Sequence, residues 1–87
     1  MPQILQQSTP SYTDDAIKAK VQGIVILQAV IRKNGRVDSF KVLRGLGYGL
    51  EEKAIQEIAA RWRFRPGTLQ GRPVDVLATI EVQFNLR

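Results

Sequence analysis

The side chains that could do acid–base or metal chemistry near neutral pH in this chain are eight carboxylates: Asp14, Asp15, Asp38, Glu51, Glu52, Glu57, Asp75 and Glu81. They are scattered without the spacing of a metal-binding loop. The chain has no Cys, which excludes a disulfide, a thiolate nucleophile and a thiolate metal site. It has no His either, which removes the usual general base and the commonest metal ligand. The inventory argues against an enzyme, and no catalytic residue, metal ligand or cofactor is expected. Gly45-Leu46-Gly47-Tyr48-Gly49 has the glycine content of a phosphate cradle. It lacks the dinucleotide spacing, however, and no Lys-Ser/Thr follows it as in a P-loop, so it reads as a turn into a helix.

Binding chemistry remains. The formal charge is +5, and residues 23–48 set Arg32, Lys33, Arg36, Lys41 and Arg44 against Asp38 alone. Such a patch suits phosphate, an acidic lipid surface or an acidic protein, or simply keeps a domain soluble. Arg61, Arg63, Arg65 and Arg72 form a second basic group. A nucleic-acid binder would weaken steeply with salt and would interleave aromatic with basic residues on a sheet face. The aromatics here are not so arranged, and no nucleic-acid partner is expected.

The elements that must position these groups are legible from periodicity. Eighty-seven residues make one domain, and 44% apolar content marks it as globular. No apolar run of 18 residues spans a bilayer, and no signal peptide opens the chain, so the sequence is expected to be cytosolic or a piece of something longer. Residues 1–13 have no periodicity and read as an extended lead-in to a domain over 14–87. Asp14 to Val21 reads as a short helix capped by Thr13, with Ala16, Ile17 and Val21 on its apolar side.

Ile24–Arg32 and Arg36–Arg44 read as strands, the second with Phe40 and Val42 inward. Asn34-Gly35 between them predicts a two-residue type I′ hairpin with φ > 0 at both positions. Leu50–Trp62 is an amphipathic helix whose stripe is Leu50, Ala54, Ile55, Ile58, Ala59 and Trp62. Glu51 and Glu52 in its first turn and Arg61 in its last match the helix dipole, and Pro66 prevents continuation. Gly71-Arg72-Pro73 is a turn, and Val74–Arg87 alternates apolar and polar residues as a long half-buried strand. The order ββαβ predicts a two-layer α+β domain, a three-stranded antiparallel sheet with one helix packed on one face.

With those positions placed, the chain resembles the C-terminal domain of TonB-type energy transducers from about Pro10 to Phe84. The resemblance is carried by Pro10-Ser11-Tyr12, Ala16 and Gly23. It continues through Asn34-Gly35-Arg36-Val37, Val42-Leu43, Leu50-Glu51 with Ala54, Trp62-Arg63-Phe64-Arg65-Pro66 and Gly71-Arg72-Pro73-Val74. Trp-x-Phe-x-Pro behind an amphipathic helix is the most specific piece. The resemblance implies a periplasmic domain excised from a protein with an N-terminal membrane anchor and a Pro-rich linker. It also implies an inner-membrane motor complex as partner through that missing region. The domain itself would grip the TonB box, a short N-terminal segment of outer-membrane receptors that import siderophores, cobalamin or other scarce nutrients. Many relatives have Pro where this chain has Thr13, and a basic residue where it has Asp14-Asp15. Both positions lie where the resemblance places receptor contact.

A long terminal strand leaves a row of unpaired backbone groups, onto which an extended peptide can add itself. Val76, Leu77, Ala78, Thr79, Ile80 and Glu81 are the expected pairing edge, with the lead-in Pro10-Ser11-Tyr12 alongside the incoming strand. About six added hydrogen bonds at ~0.5–1.5 kcal/mol give roughly 3–9 kcal/mol. Ordering a disordered partner takes back ~2–5 kcal/mol, so the grip is transient unless other contacts help. Tyr12 reads equally as a core cover, and Trp62 and Phe64 read as core. The same edge could pair two copies into a homodimer. A rival reading is an accessory domain of the same fold on another cell-envelope protein, a sensor or a protease.

Overall fold

The computed structural model describes residues 3–6 and 10–86. The rest of the expected lead-in and Arg87, the end of the expected last strand, lie outside the described residues. In chain order the elements are β1 (Gln3–Gln6), α1 (Asp14–Lys18), β2 (Gly23–Ile31), β3 (Val37–Arg44) and α2 (Leu50–Arg61). Four strands follow: β4 (Arg63–Arg65), β5 (Gly67–Leu69), β6 (Arg72–Val74) and β7 (Val76–Phe84).

The main sheet has three antiparallel strands in the order β3-β2-β7. The central strand is the β-branched run, and its alternation is strict: Val25, Leu27, Ala29 and Ile31 are buried. Opposite them β7 sets Val82, Ile80, Ala78 and Val76 in register. Helix α2 lays Leu50, Ala54 and Ile58, one residue per turn, against that face. Trp62 caps the helix in an extended conformation and is itself buried, as its place at the end of the stripe predicts. The α+β, two-layer arrangement stands as the periodicity implies.

Several details differ from the sequence reading. Gly35 takes φ +87°, but Asn34 does not adopt positive φ. The Gly35 N–H donates to Arg32 O and the Arg32 N–H to Arg36 O, so three residues make the loop rather than two. Next, β3 slips against β2 twice, and Ser39 takes φ 57° at the first slip. Phe40 packs partly buried against the core as expected, whereas past the bulges Val42 is 43% exposed rather than inward. Ala59, placed on the apolar stripe, is exposed instead, because the stripe narrows toward the helix end.

Last, Gly71-Arg72-Pro73 is not wholly a turn. Gln70-Gly71 makes the turn of a small β5–β6 hairpin, and Arg72-Pro73 pair as strand. The long final strand is broken at Asp75, so Val74 belongs to β6 and β7 starts at Val76. Within the lead-in, β1 pairs antiparallel with β4, with Ile4 opposite Phe64. Among the described residues no helix is long and apolar enough to cross a membrane.

Candidate functional site

The site begins with the position of β7 in its sheet. It pairs with β2 along all nine residues, from Val76 opposite Ile31 to Phe84 opposite Gly23. No other strand pairs with it, so among the described residues its outer flank presents backbone N–H and C=O groups without strand partners. Ile80 is buried toward the helix, Val76 and Ala78 are half-buried, and Leu77, Thr79 and Glu81 face solvent, Leu77 at 63% exposure.

A groove of about 410 Å³ runs along that flank. Val76, Leu77, Ala78, Thr79, Ile80 and Glu81 all line it. Consecutive strand residues point to opposite faces of a sheet, so a surface touched by all six follows the edge rather than either face. The remaining walls are Ile31, Trp62, Phe64 and Ile4. Trp62 and Phe64 thus do two things: they are core residues, and their remaining surface floors the groove. Their rings lie 6.2 Å apart, tilted by 34°. The Trp-x-Phe spacing at the helix end signalled their burial, but nothing in Gln3–Gln6 signalled that Ile4 would reach the same groove.

One charge network ties the end of the sheet where β7 starts. The Arg32 guanidinium donates from Nε to Asp38 at 2.7 Å and from an Nη to Asp75 at 3.1 Å. The Lys33 backbone N–H donates to the other Asp75 oxygen at 2.8 Å. That backbone bond, then the bond from Arg32, holds the Asp75 carboxyl below the usual carboxylate range. The side-chain bond to Asp75 in turn raises Arg32, which stays charged. Asp75 sits between β6 and β7, so this clasp fixes the point at which the groove-lining strand enters the sheet.

The lead-in residues are placed elsewhere. Pro10 is buried, Ser11 is exposed and Tyr12 is half-buried, and none of them lines the groove. The Tyr12 hydroxyl donates to Val21 O at 2.9 Å, and its ring meets Phe84 edge-on at a centroid distance of 5.5 Å. Partial burial pushes the Tyr12 hydroxyl pKa up. Tyr12 therefore lies against the last residue of β7, past the groove. Thr13 Oγ1 accepts from the Ala16 N–H at 3.2 Å, the expected cap, and donates to Tyr48 O at 2.6 Å. The α1 helix ends at Lys18, short of Val21, and Ile17 stays half exposed rather than packing inward.

The basic residues do not converge on the groove. Arg32 is spent on Asp38 and Asp75. Arg63 donates to Trp62 O and Ala60 O, carbonyls of the helix end. The glycine-rich connector is a turn, as its spacing implied: Gly47, Tyr48 and Gly49 all take positive φ, and the Glu51 carboxylate accepts from the Gly47 N–H.

Against known proteins, residues 8–86 match the family described as the Gram-negative bacterial TonB protein C-terminal. The chain is 27% identical over 85 residues to Protein TonB of Klebsiella pneumoniae, covering 97% of this chain and 33% of that protein. It is 30% identical over 63 residues to Protein TonB of Yersinia enterocolitica, covering 72% of this chain and 25% of that one. It thus spans about a third of the length of these relatives or less. The solution structure of the Pseudomonas aeruginosa TonB C-terminal domain superposes with a TM-score of 0.75 at 27% identity, over 98% of this chain and 86% of that one. A sheet of three strands with one helix behind it, the Trp-x-Phe-x-Pro segment folded under the last strand, and a family match over nearly the whole length lead to one conclusion: the chain belongs to the TonB C-terminal domain family.

Proposed function

We propose that this domain is the periplasmic receptor-gripping end of a TonB-type energy transducer. The rest of that protein would be anchored in the inner membrane and driven there by a motor complex. The domain works by binding, not catalysis. Its guest is the TonB box of an outer-membrane receptor, captured as an added strand on β7, and the energy transmitted serves nutrient import of the siderophore or cobalamin kind. The observation that carries this reading is the unpaired flank of β7 facing an apolar groove. An extended peptide matches a row of strand N–H and C=O groups bond for bond. Every second guest side chain would drop toward Ile31, Trp62 and Phe64, and the others would stand beside Leu77, Thr79 and Glu81. In this reading Pro10-Ser11-Tyr12 supplies flanking contact at the Phe84 end, where Ser11 is the exposed member.

The test is a titration of synthetic peptides covering receptor N-terminal segments, followed by amide exchange. Along an edge strand, alternate amides bond the neighbour and the rest point outward. With a bound guest, every second amide from Val76 to Glu81 should change from fast to slow exchange, while those bonded to β2 stay slow throughout. Perturbations gathered on the exposed side of α2 instead would overturn the reading. The same free flank favours a second use, strand-to-strand pairing of two copies, which would show the same alternate protection without peptide and with dependence on protein concentration.

A further inference from the structure

The groove has two strand flanks, not one. On one side is the outer edge of β7; on the other is β1, whose Ile4 reaches into the same space. The flank of β1 that faces away from β4 has no strand partner among the described residues, and β1 and β7 are not paired to each other. Resting on the strand-addition reading above, we infer that β1 is the second jaw of the site, so that a guest strand lies between β7 and β1 and Ile4 packs onto it.

Three observations support this. A strand added to β7 alone exposes a fresh edge of its own, the liability that an edge strand always carries. A second strand on the far side removes it. Next, β1 is held by something rigid. Its partner β4 is pinned to the main sheet, because the Phe64 N–H donates to Gly35 O at 3.1 Å and Phe64 is buried. The jaw therefore has a fixed hinge point rather than a free end. Finally, Ile4 and Leu5 are both about half exposed although both are large and apolar, and only Ile4 lines the groove. An isoleucine left half open beside an apolar cleft gains when a guest covers it, because its remaining apolar surface then leaves water. That is a contact beyond backbone pairing, of the kind a transient grip needs.

The test uses the whole chain and one synthetic TonB-box peptide that the unmodified chain binds. Ile4→Asp should weaken binding about tenfold, equivalent to ~1.4 kcal/mol. Ile4→Val and Leu5→Asp should stay within about twofold of the parent, the first because it keeps the apolar contact and the second because Leu5 is outside the groove. Amides of residues 4–6 should exchange more slowly when peptide is bound, which a purely structural β1 would not show. Neither position belongs to the buried core, so the variants are expected to fold, and circular dichroism checks this. Unchanged affinity in Ile4→Asp would overturn the inference. Tighter binding would overturn it too, by making β1 a cover that the guest displaces. If the unmodified chain shows no alternate protection along residues 76–81 with any peptide, strand addition itself is wrong, and the jaw falls with it. Normal protection there with an indifferent Ile4→Asp sinks the jaw alone.

Discussion

The backbone of Phe64 rests directly on Gly35. The Phe64 N–H donates to Gly35 O at 3.1 Å, and a Cβ at position 35 would stand 2.6 Å from Phe64 O. The glycine of the hairpin loop is thus needed twice, for its φ of +87° and for the close approach of β4. It is the point at which the groove floor is fastened to the main sheet.

Gly35→Ala should therefore destabilise the domain by about 1–3 kcal/mol, from a strained φ and a backbone clash together. In a domain of this size each kcal/mol lowers the melting temperature by roughly 4–8 °C. Thermal unfolding checks this. A variant as stable as the parent would mean that β4 does not press on the loop as described.

Asp75 predicts a pH dependence. Its carboxyl is held below the usual range in the folded state, first by the Lys33 N–H and then by Arg32. A depressed folded value means that its contribution is present above the unfolded carboxylate value of about 3.9 and is lost as pH falls through the lower folded value. Urea midpoints of the parent and Asp75→Asn should differ at pH 6 and converge toward pH 2. The difference should also shrink in high salt, because the pairs are open to solvent. A gap that widens on acidification would contradict the clasp.

Trp62 is the chain's one tryptophan and lines the groove. Peptide binding along β7 should shift or quench its emission in a saturable way, with the midpoint that amide mapping gives. Peptide binding with an unmoved emission would place the guest away from the groove floor.

Tyr12→Phe separates the lead-in from the edge. Losing the bond to Val21 O should cost about 0.5–1.5 kcal/mol of stability while the ring stays on Phe84. If the lead-in works as flanking contact through its exposed Ser11, peptide affinity should change little with Tyr12→Phe and fall with Ser11→Pro. Calorimetry on both variants decides.

The parts of this fold that the sequence shows are those in which one local rule acts alone. β2 is legible as a β-branched run bounded by Gly23 and Asn34-Gly35, and β7 because its period-two alternation has no competing reading. Leu50, Ala54 and Ile58 are legible because one stripe meets one sheet. What escapes reading depends on partners distant in sequence. Asn34-Gly35 looks like a two-residue turn until Phe64 fixes which residue takes positive φ. The slips that accompany the outward turn of Val42 depend on the register of β3 against β2, and Ser39 gives no local sign of them. β1 is four residues whose strand partner among the described residues is β4, sixty positions away, and no periodicity can announce a pairing that short. The candidate site divides in the same way. Residues 76–81 were visible as an edge, whereas the far wall of the groove was not.

The two flanks of β2 are both occupied, by β3 and by β7, while the strand proposed to do the gripping is peripheral. Scaffold and handle are therefore different strands. Whatever docks beside β7 adds to a sheet already complete without it, and leaves behind a domain whose central strand never lost a bond. Such an arrangement can be loaded and unloaded many times without unfolding between cycles.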